Sequence, residues 1–304
     1  MLKLGFIGAG TVGTALAIRL SDKGYQVVAV SSRTHTSAEK LAQTISGCHA
    51  VRNNQAVADM ADFVFITTPD GAIAAVAAEV KWRPGQGVVH CSGADSTEVL
   101  KPARDLGAKV GAFHPLQTFA SVKQAIDNIP GSTFALEAEE PLLTSLKEMA
   151  ATLDGHWIEL KASDKVVYHA AAVIACNYLV TLVKLATDLW QTFNVPRQEA
   201  TRALMPLLRG TLNNLENVGI PNCLTGPIAR GDIGTITKHL NALEKAAPSL
   251  VSTYRELGLQ TIPIALGKGR INQERAEELH TLLSQESCER GKAPYREKGI
   301  QHGA

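Results

Sequence analysis

The feature that most constrains this fold is a glycine-rich loop inside a strand–helix–strand unit at the start of the chain. An apolar strand at Leu2–Ile7 leads into the loop, a helix pattern continues to Leu20, and a second strand follows at Tyr25–Val30. In that context glycines permit a tight turn, let backbone approach a pyrophosphate and allow close helix–strand packing. We therefore expect a dinucleotide at the helix N-terminus, where free N–H groups favour an anion. The alternative is a glycine-rich turn without a ligand. The residues expected to bind it are Gly8, Gly10, Thr11, Val12 and Gly13.

The end of the second strand distinguishes between the two common dinucleotides. NAD sites place an Asp or Glu about 20 residues after the glycines, where it binds the ribose 2′-hydroxyl. Here the chain has Ser31, Ser32, Arg33 and Thr34, and no carboxylate lies between the second strand and Glu39. Hydroxyls and a guanidinium bind a 2′-phosphate that a carboxylate would repel. The segment favours NADP as the cofactor; the alternative is that Arg33 only stacks over the adenine.

Composition and charge indicate which kinds of binding partner the protein is not expected to have. The 304 residues carry a net charge of +1 and 19% are charged, so no basic field indicates nucleic acid or a membrane surface. The five cysteines are scattered and lack metal-ligand spacing, which predicts reduced thiols, no metal site and a cytoplasmic protein. A secretory signal is not expected, because the first strand begins at Leu2. The apolar run Ala170–Ala175 is interpreted as core-facing and not membrane-spanning, because Lys184 and Asp188 interrupt its helix.

Strand and helix patterns alternate through the first half of the chain. This alternation predicts an α/β domain over residues 1–161, with a doubly wound parallel sheet and helices on both faces. In such sheets ligands bind beyond the carboxyl ends of the strands, so three turns should converge there: Thr68–Asp70, His90–Gly93 and His114–Pro115. The further predicted strands are Cys48–Val51, Phe63–Thr67, Gly87–Cys91, Lys109–Phe113, Thr133–Leu136 and His156–Leu160, with a helix at Glu140–Leu153.

The pattern changes to helix after a boundary at residues 160–163. We predict an all-helical domain over residues 162–286, followed by a mobile polar tail over residues 287–304. Its first helix is Ser163–Gln191. The second, Arg197–Glu216, contains Pro206 and Gly210, which should kink or divide it. A loop at Gly219–Gly234 precedes three further predicted helices, at Thr235–Ala247, Pro248–Leu257 and Gln273–Gln285.

Four segments of the chain carry a distinctive sequence. They are His90–Ala94, Gly111–Phe119, Tyr168–Ala172 with Asn177-Tyr178, and Leu224–Asp232. Through them the chain resembles uncharacterised NADP-binding oxidoreductases that join a Rossmann-like domain to a C-terminal helical domain of unknown function 2520. These are related to 6-phosphogluconate dehydrogenase, ketopantoate reductase and pyrroline-5-carboxylate reductase. The resemblance extends to about Gln285 and implies a Rossmann sheet, NADP and a homodimer formed through the helical domain; it leaves the substrate open.

Two residues of the first long helix are the leading catalytic candidates. His169 and Asn177 differ by roughly 80° around an α-helix and by about 12 Å along it, so both can border one face. His169 is the candidate proton donor, since an ordinary imidazole exchanges protons near neutral pH; the alternative is a histidine satisfied at a domain interface. Asn177 matches an asparagine that orients substrate in the β-hydroxyacid dehydrogenases, whose catalytic lysine position is Val173 here. Its alternative is an amide bonded to backbone in the core.

Further candidates lie in turns and loops. His114 is the rival acid, because it follows a strand at the crevice; alternatively it shapes the loop. Ser92 resembles a serine that binds substrate in the β-hydroxyacid dehydrogenases, with a helix N-cap as the alternative. Arg230 is expected to clamp a substrate carboxylate, or else to form a salt bridge with Asp232. Lys165 is interpreted as a solvated charge. The residues expected to cap a helix under the cofactor and touch its ribose or nicotinamide are Thr68, Pro69 and Asp70.

Together these features predict an NADP-dependent oxidoreductase that transfers hydride to a small carboxylated carbonyl compound. The favoured substrate is a 2-oxo acid such as ketopantoate, with His169 or His114 protonating the new alkoxide. One alternative is an imine reductase of the pyrroline-5-carboxylate type. Another is a non-catalytic NADP-binding regulatory protein.

Overall fold

The computed structural model describes residues 2–285, and the chain divides into two compact units, Met1–Leu179 and Val180–Ala304. The first unit contains the sheet that the sequence assigns to residues 1–161 and also the beginning of the long helix that follows. The tail predicted to be mobile, residues 287–304, lies outside the described residues.

The first unit is built on one eight-stranded sheet. Its strands are β1 Lys3–Ile7, β2 Gln26–Ser31, β3 His49–Ala50, β4 Phe63–Ile66, β5 Gly87–His90, β6 Lys109–Leu116, β7 Thr133–Ala138 and β8 His156–Glu159. Their spatial order is β3-β2-β1-β4-β5-β6-β7-β8, and the pairs are parallel except that β7 runs antiparallel to β6. The predicted doubly wound sheet is confirmed with that one reversal. Connections switch direction between β1 and β4, which is where such sheets bind ligands.

Strand β6 is longer than the sequence indicates. The predicted end is Phe113, but the strand continues because His114 and Pro115 lie opposite Ala135 and Phe134 of β7. His114 therefore projects from a strand and not from a turn, which fixes its backbone more firmly.

Helices cover both faces of this sheet. They are α1 Thr11–Asp22, α2 His35–Thr44, α3 Asn54–Met60, α4 Asp70–Glu79, α5 Lys101–Asp105, α6 Val122–Asn128 and α7 Leu142–Thr152. Alternate residues of β4 serve two cores, because successive strand side chains point to opposite faces. Phe63 and Phe65 pack with α1, α2, α6 and α7, whereas Val64 and Ile66 pack with α3, α4 and α5.

The long helix Ala162–Gln191 is not uniform. A 3₁₀ turn leads into α8 Lys165–Ala172, a π-helical segment spans Val173–Asn177, and α9 covers Tyr178–Gln191. By length and composition this helix could cross a membrane, which is weak evidence for a membrane span. The prediction that the apolar run Ala170–Ala175 faces the core is wrong, because none of its residues is buried and Ile174 is 63% exposed.

The second unit is helical, with α10 Arg197–Val218, α11 Ile233–Ala246, α12 Val251–Gly267 and α13 Gln273–Ser284. Of the two predicted effects of Pro206 and Gly210 on α10, a division is wrong, because the helix is continuous; the hydrogen bonds on either side of the N–H that Pro206 lacks hold it together. For the same reason α12 passes Pro263 and extends beyond its predicted end at Leu257. Buried residues of α11, α12 and α13 form this unit's own core: Ile236, Leu240, Ile262, Leu279 and Leu283.

Candidate functional site

The loop between β1 and α1 is shaped to receive an anion. Gly8 has φ of +116°, and a Cβ there would lie 2.7 Å from the backbone of Thr67. A Cβ on Gly13 would lie 2.3 Å from the Thr67 hydroxyl oxygen, so packing requires both glycines. Gly10 differs, because no atom lies within 4 Å of where its Cβ would be. Gly10 begins α1 without a side-chain cap, and no acidic residue occupies the first turn, so N–H groups there face the space that Gly10 leaves open.

A cavity of about 980 Å³ opens at this loop and extends to the end of β2; it is called the dinucleotide cleft below. Seven residues predicted to bind the cofactor line it: Gly8, Gly10, Ser31, Ser32, Arg33, Thr68 and Pro69. The other four lie outside its lining: Thr11, Val12, Gly13 and Asp70.

The cationic end of the cleft contains a residue that the sequence interpretation missed. Arg52 lines the cleft together with Arg33, because β3 pairs with β2 and brings the two loops to the same edge. The Ser31 hydroxyl donates to Asn54 Oδ1 at 2.6 Å, and the Asn54 amide donates to Glu79. The Glu79 carboxylate is therefore hydrogen-bonded to the Asn54 amide. Two guanidiniums, hydroxyls and the open loop are the donor set that an adenine dinucleotide with a 2′-phosphate needs.

The end of β4 connects the cleft to the rest of the site. Thr68 does not cap α4 as predicted, since the N-cap residue is Pro69 and makes no side-chain bond. The Thr68 hydroxyl is buried and has no hydrogen-bond partner among the residues described, which suits a group that a ligand completes. Asp70 accepts a hydrogen bond of 2.8 Å from the Ser92 hydroxyl, so the start of α4 is joined to the turn after β5.

A second cavity, of about 540 Å³, lies at the end of β6 against α8 and the π-helical segment; it is called the imidazole cavity below. Three of the predicted catalytic residues, His114, His169 and Asn177, line it. The π-helical turns change the angle assumed for an α-helix, and such segments recur at functional sites. The apolar part of the wall consists of Leu116, Phe119, Ala171, Ala172, Val173 and Ala175.

Tyr168 completes the polar group of this cavity, although the sequence interpretation gave it no role. Its hydroxyl oxygen lies 2.8 Å from His114 Nδ1, and the His114 and His169 ring centroids lie 6.3 Å apart. Burial, followed by the positive charge of Lys165, lowers the pKa of His114 to about 4, so this imidazole is uncharged at neutral pH. Burial raises the pKa of Tyr168 to about 12, so its hydroxyl keeps its proton. The signals for the tyrosine were its position beside His169 and its place in the segment Tyr168–Ala172 that carries the resemblance.

Gly93 packs close to both imidazoles. A Cβ at this position would lie 2.7 Å from His169 Cδ2 and 2.8 Å from His114 Nε2. A glycine is therefore needed for the turn after β5 to approach both rings.

Ser92 holds this turn from within the protein. It is 3% exposed, and its hydroxyl donates to Asp70 and accepts from the Asp95 N–H at 3.0 Å. Its own N–H donates to His90 Nδ1 at 3.1 Å. Ser92 is not among the residues that line the imidazole cavity, and the substrate contact that the resemblance implies stays a prediction.

Lys165 is the clearest correction to the sequence interpretation. It is 1% exposed and not solvated, and its Nζ donates to the carbonyl oxygen of Ser92 at 3.0 Å. Burial lowers the pKa of the ammonium, while the Glu137 carboxylate acts in the opposite direction. Val166 and Val167 beside it are exposed, so this part of the helix buries a charged residue and exposes apolar ones. Hydrophobic periodicity predicts the opposite, so it cannot show that Lys165 is buried.

Arg230 belongs to the second compact unit and is described within it. It is exposed and ends a 3₁₀ turn at Ile228–Arg230. The alternative salt bridge involves Asp232, but that carboxylate caps α11. It accepts from the Thr235 N–H at 2.9 Å and from the Thr235 hydroxyl at 2.7 Å.

Two family models match the chain. A Rossmann-like domain matches residues 1–115, and a domain of unknown function, DUF2520, matches residues 132–261. These are the two domains that the four sequence segments implied, so that resemblance is confirmed.

Individual proteins resemble the chain over different extents. A stretch of 72 residues is 38% identical to 2-(hydroxymethyl)glutarate dehydrogenase from Eubacterium barkeri, which covers 24% of this chain and 23% of that enzyme. The structure of a candidate NADP oxidoreductase from Bacteroides fragilis has a TM-score of 0.70 and 27% identity, covering 86% of this chain and 98% of that one. A reductive aminase from Aspergillus terreus, solved with NADPH and ethyl-5-oxohexanoate, has a TM-score of 0.61 and 17% identity, covering 93% of this chain and 92% of that one. The chain has the fold of NADP-dependent oxidoreductases.

Proposed function

We propose that this chain, which joins a Rossmann-like domain to a DUF2520 domain, is an NADP-dependent reductase of a small carbonyl compound. The observation that carries the proposal is the link between its two cavities. Asp70, next to the wall of the dinucleotide cleft, is bonded to Ser92. The following residue, Gly93, packs close to His114 and His169 of the imidazole cavity. A reactive ring at the inner end of the cleft would therefore face groups that can donate a proton.

NADP is favoured over NAD as the cofactor. Arg33 and Arg52 both line the cleft, and the end of β2 provides hydroxyls in place of the acid that holds a free ribose 2′-OH. The Bacteroides fragilis protein named as a candidate NADP oxidoreductase matches 86% of this chain, which supports the same cofactor.

Four polar residues of the imidazole cavity have a part in this proposal: His114, Tyr168, His169 and Asn177. NADPH, when bound, supplies a hydride to the carbonyl carbon, and the electron pair of the C=O bond moves to oxygen. His169 donates the proton that this oxygen needs, because it lines the cavity while His114 is kept uncharged and bonded to Tyr168. Asn177, on the same wall, orients the substrate.

The substrate we propose is a small carboxylated carbonyl compound, such as a 2-oxo acid. The matched Eubacterium barkeri enzyme is named for 2-(hydroxymethyl)glutarate, a carboxylated alcohol, and this supports the same class here. Arg230 is exposed and is the guanidinium we propose for the carboxylate.

One observation favours imine reduction as a second candidate function. No Lys or Arg lines the imidazole cavity in the part of the chain that the structure describes, and much of its wall is apolar. Such a cavity suits an uncharged cyclic imine, whose reduction also requires less help from a proton donor.

The experiment that tests the proposal is NADPH oxidation, followed by absorbance, against a panel of small 2-oxo acids, β-keto acids and cyclic imines. We expect turnover of one class, with kcat reduced about a hundredfold by His169→Ala and the fold preserved. His156→Ala, at an exposed histidine of β8, is the matched control and should leave turnover unchanged. Loss on Arg230→Ala only for carboxylated substrates would support the 2-oxo acid reading. Tight NADPH binding without turnover would instead favour the regulatory alternative.

We also propose that a second copy of this chain covers the exposed apolar side of the long helix. Val166, Val167, Ile174 and Val180 are each more than 60% exposed there, an arrangement that isolated soluble domains avoid. Light scattering after size-exclusion chromatography should give twice the monomer mass, and Val167→Glu should return it to the monomer. A monomeric wild-type protein would contradict this proposal.

A further inference from the structure

A buried lysine holds the turn that packs close to the two imidazoles, and the chemistry proposed above does not use it. Lys165 is 1% exposed, although Val166 and Val167, which follow it, are 66% and 72% exposed. It is unfavourable to bury an ammonium while two valines stay exposed to water, unless hydrogen bonds or opposite charges compensate the ammonium. The first partner is the carbonyl oxygen of Ser92, at 3.0 Å from Nζ and 73 positions away in the sequence.

A carboxylate provides the main compensating charge. Glu137 is the strongest of the negative groups that favour the charged form of Lys165. Its Oε1 accepts from the N–H and the hydroxyl of Thr97, at 3.1 and 2.8 Å. Its Oε2 is buried and has no hydrogen-bond partner among the described residues, so a buried positive charge nearby stabilises it.

The bond from Lys165 completes the fixation of Ser92. The Ser92 hydroxyl is held by Asp70 and Asp95, its N–H is held by His90, and its carbonyl oxygen is held by Lys165. The next residue is Gly93, where an added Cβ would lie within 3 Å of both the His114 and the His169 ring. A shift in the carbonyl of Ser92 would therefore change how the turn packs against both imidazoles.

We propose that Lys165 is a positioning residue of this site, whose ammonium holds the Ser92–Gly93 turn against His114 and His169 and places a positive charge beside the His114–Tyr168 pair. The predicted effect of Lys165 on turnover rests on the proposed reductase function. The predicted effect of Lys165 on the protonation of His114 does not depend on that function.

Electrostatics support the second half of this assignment. Burial is the largest cause that lowers the pKa of His114, followed by the charges of Lys165 and His169, while Asp70 raises it. Loss of the Lys165 charge therefore raises the pKa of His114 toward the ordinary value of 6.5. The titratable groups around His114 are Asp70, His90, Lys165, Tyr168 and His169.

The test is a pH titration of the histidine rings by NMR, in protein labelled at histidine, with His114 assigned by its loss in His114→Gln. In Lys165→Met we expect the midpoint of His114 to move up by roughly half a pH unit or more. Lys165→Arg keeps the charge and should keep the low midpoint. Lys123→Met removes an exposed lysine of α6 and should also leave it unchanged.

Turnover and cofactor binding give the second readout. Lys165→Met should lower kcat at least tenfold and leave the NADPH dissociation constant unchanged, while Lys165→Arg should recover part of kcat. If Lys165→Met does not fold, Lys165→Gln replaces it: it keeps a donor for Ser92 without the charge, and the His114 midpoint must still rise.

An unchanged His114 midpoint in a folded Lys165→Met or Lys165→Gln protein would overturn the assignment. So would a kcat equal to that of the wild type. If the wild-type protein reduces nothing on the substrate panel, the proposed function fails, but the titration still decides the role of Lys165.

Discussion

The dinucleotide cleft and the imidazole cavity lie at one edge of the same sheet, but they are built in different ways. The cleft depends on one short loop, in which Gly8 and Gly13 pack against Thr67 and Gly10 stays open. The cavity depends on segments that are far apart in the chain: the turn at Ser92–Gly93, strand β6 with His114, and the start of α8.

This difference shows what kind of information each site needs. A phosphate-binding loop requires only local backbone shape and a helix N-terminus, so spacing in the sequence describes it. A proton-transfer site requires groups with adjusted pKa values, and these adjustments come from burial and from charges on other elements. Substitutions in the imidazole cavity should therefore leave NADPH binding in the cleft unchanged. Substitutions in the cleft should likewise leave the groups of the imidazole cavity in place.

The largest expected effect is at Gly93. Gly93→Ala places a methyl group against two imidazoles, so it should lower kcat at least a hundredfold, about 2.7 kcal/mol, while NADPH affinity stays unchanged. Stopped-flow fluorescence for binding and steady-state assays for turnover measure the two separately. Gly210→Ala, in open space on α10, is the control. If Gly93→Ala weakened NADPH binding as much as turnover, the two regions would not be independent.

The glycine loop should show a separation of its own. Gly13→Ala forces a Cβ against Thr67 and should reduce the free energy of unfolding by about 1–3 kcal/mol. Gly10→Ala meets nothing in the protein, so it should leave unfolding unchanged but weaken NADPH binding. Urea denaturation and binding titrations check the pair. A stable Gly13→Ala protein, or one destabilised as little as Gly10→Ala, would contradict this account of the loop.

A substitution of Arg52 tests whether a residue far from the glycine loop in the sequence contributes to cofactor binding in the cleft. Arg52→Ala should weaken NADPH binding about tenfold and leave NADH binding unchanged, because only the 2′-phosphate loses a partner. Fluorescence titration with each cofactor measures both. Arg209→Ala, an exposed arginine of α10, should change neither. A parallel loss for NADH would show that Arg52 acts on the fold or the adenine.

The smallest effect is a pH dependence of stability on the cavity side. Burial lowers the pKa of His90 to about 3 and that of His114 to about 4, whereas both are near 6.5 in the unfolded chain. Between these values only the unfolded chain binds the protons, so stability should fall as the pH drops below 6.5. His90→Asn should flatten the dependence of the unfolding temperature over pH 4 to 6.5, and His156→Asn should not. Equal slopes in all three proteins would exclude this cause.

The fold was predictable because its signals are local. Strand–helix alternation gave the sheet, and the loop at Gly8–Gly13 gave the position of α1. The antiparallel pairing of β7 was not predictable, since a strand's direction depends on the connection and not on its own residues. The exposed face of α8 was also missed, because an apolar run looks the same whether it packs on its own chain or lies at a surface.

The site was predictable only in part, for the same physical reason. His114 and His169 were named from their positions after a strand and on a helix, and they share one cavity. Tyr168, Arg52 and Lys165 were missed, because their roles depend on a 2.8 Å contact, a strand pairing and a buried bond across 73 positions.

The most direct test of the central claim is transfer of deuterium from NADPH labelled at the nicotinamide C4 to members of the substrate panel. Mass spectrometry of the products detects the transferred deuterium directly. The account predicts deuterium on the former carbonyl or imine carbon of one substrate class, and little or none in His169→Ala over the same time. NADPH bound tightly in the wild-type protein, with no deuterium in any product, would contradict it.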